Sequence, residues 1–157
     1  MCTKRVALIA HDNKKKELIE WVKFNLESMR KCEIYATGTT GKQLEIELDL
    51  TVRRLQSGPL GGDQQIGALI AEGMIDVLIF FWDPMEPLPH DQDIKALLRL
   101  AVVWNILVAS NRATADFLFS STLLLVIIAY FAAYQTGNYK NRFVKIVANF
   151  VCLPSQK

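Results

Sequence analysis

The residues able to do chemistry fall in a few short clusters of the 157-residue chain. The densest is Ser57 to Gln65, Ser-Gly-Pro-Leu-Gly-Gly-Asp-Gln-Gln. Glycine loses more backbone entropy on ordering than any other residue, so three glycines and a proline together mark a tight turn or a close approach to a ligand. Ile66 to Glu72 reads as helical, which puts Gly61-Gly62-Asp63 where a loop enters a helix. Free N–H groups at such a junction favour anions, and Asp63 is expected at an exposed loop tip. An aspartate that merely caps the helix is the competing reading.

Thr37-Gly38-Thr39-Thr40-Gly41 ahead of a helix combines small residues, hydroxyl donors and backbone N–H groups, which suits an oxyanion. It is not a Walker loop: the spacing is too short, and Gln43 follows Lys42 where Ser or Thr is required. A small phosphorylated ligand is therefore favoured over a nucleoside triphosphate. Lys15, near His11, has the charge to meet that phosphate, whereas Lys14 and Lys16 read as a solvated face. His90-Asp91-Gln92-Asp93 admits two readings. It is an incomplete metal ligand set, or His90 is a neutral electrophile that donates to a carbonyl oxygen while a carboxylate removes the α-proton. Glycine-rich loop, carboxylate, histidine and phosphate cradle together suit proton abstraction from a small ketose or aldose phosphate. A structural role for either histidine stays open.

These clusters need elements to position them. Val6 to Ala10, Ile34 to Ala36, Val52 to Leu55, Val77 to Trp82 and Ile106 to Ala109 read as strands. Helices are expected over Lys14 to Met29, Gln43 to Leu48, Ile66 to Glu72 and Ile94 to about Trp104, with another from Ala113 or Thr114. Strand and helix alternate, which implies an α/β fold: a doubly wound parallel sheet with helices on both faces. His11-Asp12, Thr37 to Thr40, Ser57-Gly58, Asp83 and Asn111 each follow a strand. In an open parallel sheet the carboxyl ends of the strands lie along one edge, so five polar clusters converge there.

Composition narrows the partners. About half the residues are apolar and the formal net charge is +2, which describes a globular domain with a sizeable core. Residues 1–116 carry 14 Lys and Arg against 16 Asp and Glu, while from Phe117 onward there are four basic residues and no acid. The basic residues are too few and too irregular for a nucleic-acid surface. Cys2, Cys32 and Cys152 are odd in number and far apart, so reduced thiols are expected. The N-terminus runs directly into a strand-like segment without a signal-peptide core, which argues for a cytoplasmic protein.

In order along the chain, His11-Asp12, the Ala-Thr-Gly-Thr-Thr-Gly run from Ala36, Ser57 to Gln65, Phe80 to Pro84, Pro89-His90-Asp91, Lys95 to Arg99 and Thr114-Ala115-Asp116 resemble the methylglyoxal synthase family. The resemblance runs from about Arg5 to Ser121. It implies a cofactor-free, metal-free lyase that converts dihydroxyacetone phosphate to methylglyoxal and inorganic phosphate. It implies Asp63 as general base, His90 as the group polarising the carbonyl, and Asp93 as a support for proton transfer. Lys15, Thr37, Gly38, Thr39, Thr40, Ser57 and Gly58 would hold substrate and phosphate, and His11 would line the same pocket. A homohexamer is implied too, with phosphate an allosteric inhibitor in several members, and neither nucleic acid nor membrane as partner. The alternative is a regulatory domain of the same fold that binds a phosphorylated metabolite without turning it over.

The chain departs from the family pattern at Ile106-Leu107-Val108 and Gln92, where prolines are usual, and above all in its tail. Residues 1–121 read as the catalytic domain and 122–157 as a divergent apolar and basic tail of the same domain. Leu123 to Tyr134 is nearly unbroken apolar sequence, shorter than the roughly 20 residues a membrane-spanning helix needs. The family's C-terminal arginine has no clear counterpart, Arg142 standing alone.

Overall fold

The computed structural model describes residues 4–86 and 91–121. Five strands, β1 (Lys4–Ala10), β2 (Cys32–Ala36), β3 (Val52–Arg54), β4 (Val77–Phe81) and β5 (Leu107–Ala109), form one sheet in the order β3-β2-β1-β4-β5. Every pairing is parallel. The helices are α1 (Lys15–Phe24), α2 (Leu26–Met29), α3 (Gly38–Leu48), α4 (Gly62–Ala71), α5 (Asp91–Val103) and α6 (Arg112–Ser120). The expected parallel α/β sheet is therefore present. From β1 the chain winds outward to β2 and β3, then returns to β4 on the other side of β1. The order reverses between β1 and β4, where open sheets of this kind leave a crevice.

β4 is apolar throughout, and β1 is apolar from Val6 onward, because both their faces are covered. Alternation along β1 sorts its side chains into two cores. Val6, Leu8 and Ala10 join Leu18, Trp21 and Val22 of α1, Leu44 of α3 and Ala115 of α6. Ala7 and Ile9 join Ile66 and Ile70 of α4 and Ile94, Leu97 and Ala101 of α5. Trp21 Nε1 donates to Asp116 at 2.8 Å, tying α1 to α6. At the amino end of the sheet, Arg5 grips Asp76 twice through its guanidinium, at 2.6 and 3.0 Å, and its backbone N–H donates to the same carboxylate.

Several boundaries differ from the sequence expectation for identifiable reasons. The helix expected over Lys14 to Met29 is broken at Asn25. The Asn25 side chain donates to Trp21 O at 3.0 Å and its backbone leaves the helical region, so α1 ends there and α2 restarts. The helix expected from Gln43 begins at Gly38, which makes the threonine run part of α3 rather than a loop before it. The helix expected from Ile66 begins at Gly62, so Asp63 lies in its first turn. Asp63 is 3% exposed, not the exposed loop tip anticipated, and Gly61 is the N-cap.

Two glycines set how closely that loop sits. A methyl group on Gly62 would lie 2.1 Å from Gln56 O, and one on Gly38 would lie 3.1 Å from Leu55 O and 3.3 Å from Ser57 N. The backbone at Gln56 and Ser57 is thus pressed between the starts of α3 and α4. Gly38 N–H donates to Gln56 O at 3.1 Å, and Gly62 N–H to Ser57 O at 2.9 Å.

No helix among the described residues is long and apolar enough to cross a membrane. The Leu123 to Tyr134 run and Arg142 lie outside the described residues, as does the proposed tail division. Gly62→Ala must displace Gln56 or the start of α4, so urea denaturation is expected to show a loss of about 1–3 kcal/mol. Unchanged stability would contradict this packing.

Candidate active site

The carboxyl ends of β1, β2, β3 and β4 surround a cleft of about 290 Å³, lined among others by His11, Asp12, Lys15, Thr37, Thr39, Ser57, Gly58, Asp63 and Phe80. Seven residues named from sequence therefore meet in one place: His11, Lys15, Thr37, Thr39, Ser57, Gly58 and Asp63. They come from three chain segments, after β1, β2 and β3, brought together because each follows a parallel strand.

The anion side of the cleft is built from two backbone features. Thr37 caps α3 in extended conformation, and Gly41 N–H donates back to Thr37 O at 2.8 Å. With Gly38 N–H taken by Gln56, the remaining amides of that first turn, at Thr39 and Thr40, are those the helix offers to an anion. The Ser57–Gly61 loop closes on itself, with Leu60 N–H and Gly61 N–H donating to Ser57 O and Gly58 O, each at 3.0 Å. Gln65 Oε1 accepts from Gln56 N–H at 2.8 Å and anchors the loop to α4.

Lys15 supplies the cation. Its side chain is 17% exposed and pairs with Asp12, which is 84% exposed, so the ammonium lies within the cleft and is held from the rim. The Lys15 hydrogen bond and charge hold the Asp12 carboxyl below its ordinary value of 3.8. A lowered carboxylate pKa stabilises the fold above that ordinary value, and the contribution is lost as pH falls through the lower folded value.

Asp63 and His11 are buried polar residues lining the same cleft. Asp63 lies in the first turn of α4, where the helix dipole favours its negative charge. His11 follows β1 directly, 6% exposed, with its ring edge-on to Phe80 at 5.2 Å.

The other sequence candidates are placed differently. Thr40 is fully buried and accepts from Thr37 Oγ1 at 3.4 Å, behind the cleft wall. Gly38 is packed against Leu55 and Ser57 and does not line the cleft. Asp93 is in the first turn of α5, part-buried, and is not among the lining residues. His90, and with it the choice between metal ligand and electrophile, lies outside the described residues. Asn111 does not join the cleft either: its side chain caps α6, accepting from Thr114 N–H at 2.9 Å. Sequence reasoning passed over Glu86, Pro59 and Phe80 as lining residues. Phe80 reads only as strand core, and Glu86 lies in a proline-rich loop without periodicity, so only Pro59, inside the glycine-rich stretch, carried a usable signal.

The family model described as MGS-like domain matches residues 17–110. A methylglyoxal synthase of Hahella chejuensis is 65% identical over 118 residues, covering 75% of this chain and 77% of the relative. One of Vibrio parahaemolyticus is 63% identical over 121 residues, covering 77% and 80%. The crystal structure of methylglyoxal synthase from Elizabethkingia anophelis superposes with a TM-score of 0.74 at 53% identity, covering 78% of this chain and 80% of that one. With its all-parallel sheet and identities of this order over three quarters of its length, the chain belongs to the methylglyoxal synthase family.

Proposed function

We propose that the chain converts dihydroxyacetone phosphate to methylglyoxal and inorganic phosphate, with Asp63 as the base. The observation that carries this reading is a buried carboxylate sharing one small cleft with a lysine, a helix start and a hydroxyl-rich loop. The phosphate binds Lys15, the Thr39 and Thr40 amides and the Ser57-Gly58 loop, displacing Asp12 from Lys15. Thr37 supports the start of α3 and Gly38 lets the loop approach it.

Asp63 then takes a proton from the hydroxymethyl carbon. The C–H electron pair forms the enediolate double bond, and the carbonyl oxygen becomes the negative oxygen, stabilised by donors placed where the charge develops. His11, and His90 as the family resemblance implies, are the donors assigned to that oxygen; Asp93 assists the later proton transfers. The enediolate expels phosphate only when the bond from carbon to the phosphate oxygen stands out of the enediol plane, so that its electrons overlap the departing bond. A cradle that fixes the phosphate therefore selects elimination over isomerisation. As phosphate leaves, the hydroxyl on the former hydroxymethyl carbon gives its proton to the departing phosphate and becomes the aldehyde. The released enolate takes the proton held by Asp63 on its methylene carbon to become methylglyoxal. The reaction needs neither metal nor organic cofactor.

The finer features belong to the same proposal: a cytoplasmic homohexamer inhibited allosterically by phosphate. Exposed Val102 and Val103 at the end of α5 support self-association.

Asp63→Asn keeps the shape of the side chain and removes the base, so methylglyoxal formation by purified protein is expected to fall by about 10²–10⁴-fold. Equal rates from both proteins would sink the mechanism and favour a metabolite-binding role. Lys15→Met is expected to raise KM for dihydroxyacetone phosphate by about tenfold or more through loss of a charged hydrogen bond, and to weaken competition by inorganic phosphate equally. Light scattering should give a mass six times that of the chain; a monomer at assay concentration would overturn the hexamer, and a chain cut after Ser121 tests whether the tail contributes.

A further inference from the structure

We propose that Asn13 is a positioning residue, whose side-chain amide clasps the Asp83–Glu86 turn and thereby holds the His11 ring with its proton on Nε2. Asn13 lies in the short 3-10 turn after β1, Asp12–Lys14. Its Nδ2 stands 3.3 Å from Asp83 Oδ2 and 3.2 Å from Glu86 Oε2. An amide NH₂ has two hydrogens, so one group can serve both acceptors at once. The two carboxylates repel each other, and Asn13 is the donor between them.

The clasp reaches the cleft through Asp83. Its other oxygen accepts from Met85 N–H at 3.1 Å, so both oxygens are held. These bonds, Met85 first and Asn13 second, keep the carboxyl below the ordinary range and hence ionised. With the residue fixed, the Asp83 backbone N–H donates to His11 Nδ1 at 3.1 Å. A nitrogen that accepts carries no proton, so the neutral ring holds its proton on Nε2. A proton on Nδ1 would set two donors face to face. The ring cannot easily swing away, because His11 N–H is bound to Phe81 O at 3.2 Å and the ring stands edge-on to Phe80. His11 and Glu86 both line the cleft with Asp63, so Asn13 shapes one wall of it without facing the substrate.

The kinetic consequence rests on the function proposed above; the tautomer does not. The chain has two histidines, His11 and His90, so ring ¹⁵N shifts of the labelled full-length protein report His11 once a His11→Asn variant assigns it. Wild-type protein is expected to show His11 with its proton on Nε2. In Asn13→Ala the His11 shifts should move toward a tautomer mixture. Its kcat/KM for dihydroxyacetone phosphate should fall about three- to tenfold, as expected for one lost hydrogen bond, with the thermal midpoint nearly unchanged. Asn13→Asp, which sets a third carboxylate against the other two, should lose more, and Glu86→Gln in the same chain should restore part of the loss. A wild-type His11 with its proton on Nδ1 would overturn the proposal. So would an Asn13→Ala protein with unchanged His11 shifts and unchanged kinetics. Should the tautomer respond as expected while wild-type protein makes no methylglyoxal, the clasp stands and the functional reading fails.

Discussion

The backbone of Gln56 and Ser57 is pressed so tightly between α3 and α4 that a side chain at Gly62 would collide with it and one at Gly38 would crowd it. Both helices are thereby indexed to the end of β3, and the threonines at the start of α3 and the Asp63 carboxylate at the start of α4 take their separation from that contact. Hydrogen bonds follow from the closeness: Gly38 to Gln56 on one side, Gly62 to Ser57 on the other. Everything the cleft does with charge depends on these few atoms of main chain. The glycines that stand out in the sequence serve chain-to-chain packing as much as any approach to a ligand.

Charge is arranged around that frame in a definite order. Lys15 is a cation inside the cleft and Asp12 holds it from the rim, so in the proposed reaction an incoming phosphate would exchange one anionic partner for another instead of filling an empty charge. Asp63 lines the same cleft from the first turn of α4, buried, in the favourable field of its own helix. In the proposed reaction, holding the phosphate with one set of groups and the reacting carbon with another would let one part of the substrate be gripped while another reacts.

Much of this was legible in the sequence, for reasons that differ by residue. The sheet could be read because apolar runs such as Val77 to Phe81 are long enough to be buried on both faces and end in polar residues. Seven cleft residues could be read because a parallel fold sends every strand's carboxyl end to one edge. The starts of α3 and α4 could not, since glycine and threonine are poor helix formers and only the packing against Gln56 and Ser57 makes helix the better state there. Asp63 was expected at the surface because pattern reading sees the loop but not its burial in the fold. The break at Asn25 was hidden by apolar periodicity that continues past it through Leu26 and Met29. Asn13, Asp83 and Glu86 are distant or aperiodic in sequence, and their mutual hydrogen bonds exist only in three dimensions.

The pairing of β1 with β4 has a mechanical side. Their register runs without a break from Val6 opposite Val77 to Ala10 opposite Phe81. It is pinned at the start by the Arg5–Asp76 pair and at the finish by the bonds His11 makes to Phe81 and Asp83. Two strands fastened at both ends cannot slide or splay, so the floor of the cleft behaves as a rigid plate. In such a molecule the slowest backbone amide exchange is expected in β1 and β4, whose amides open only when the sheet itself does.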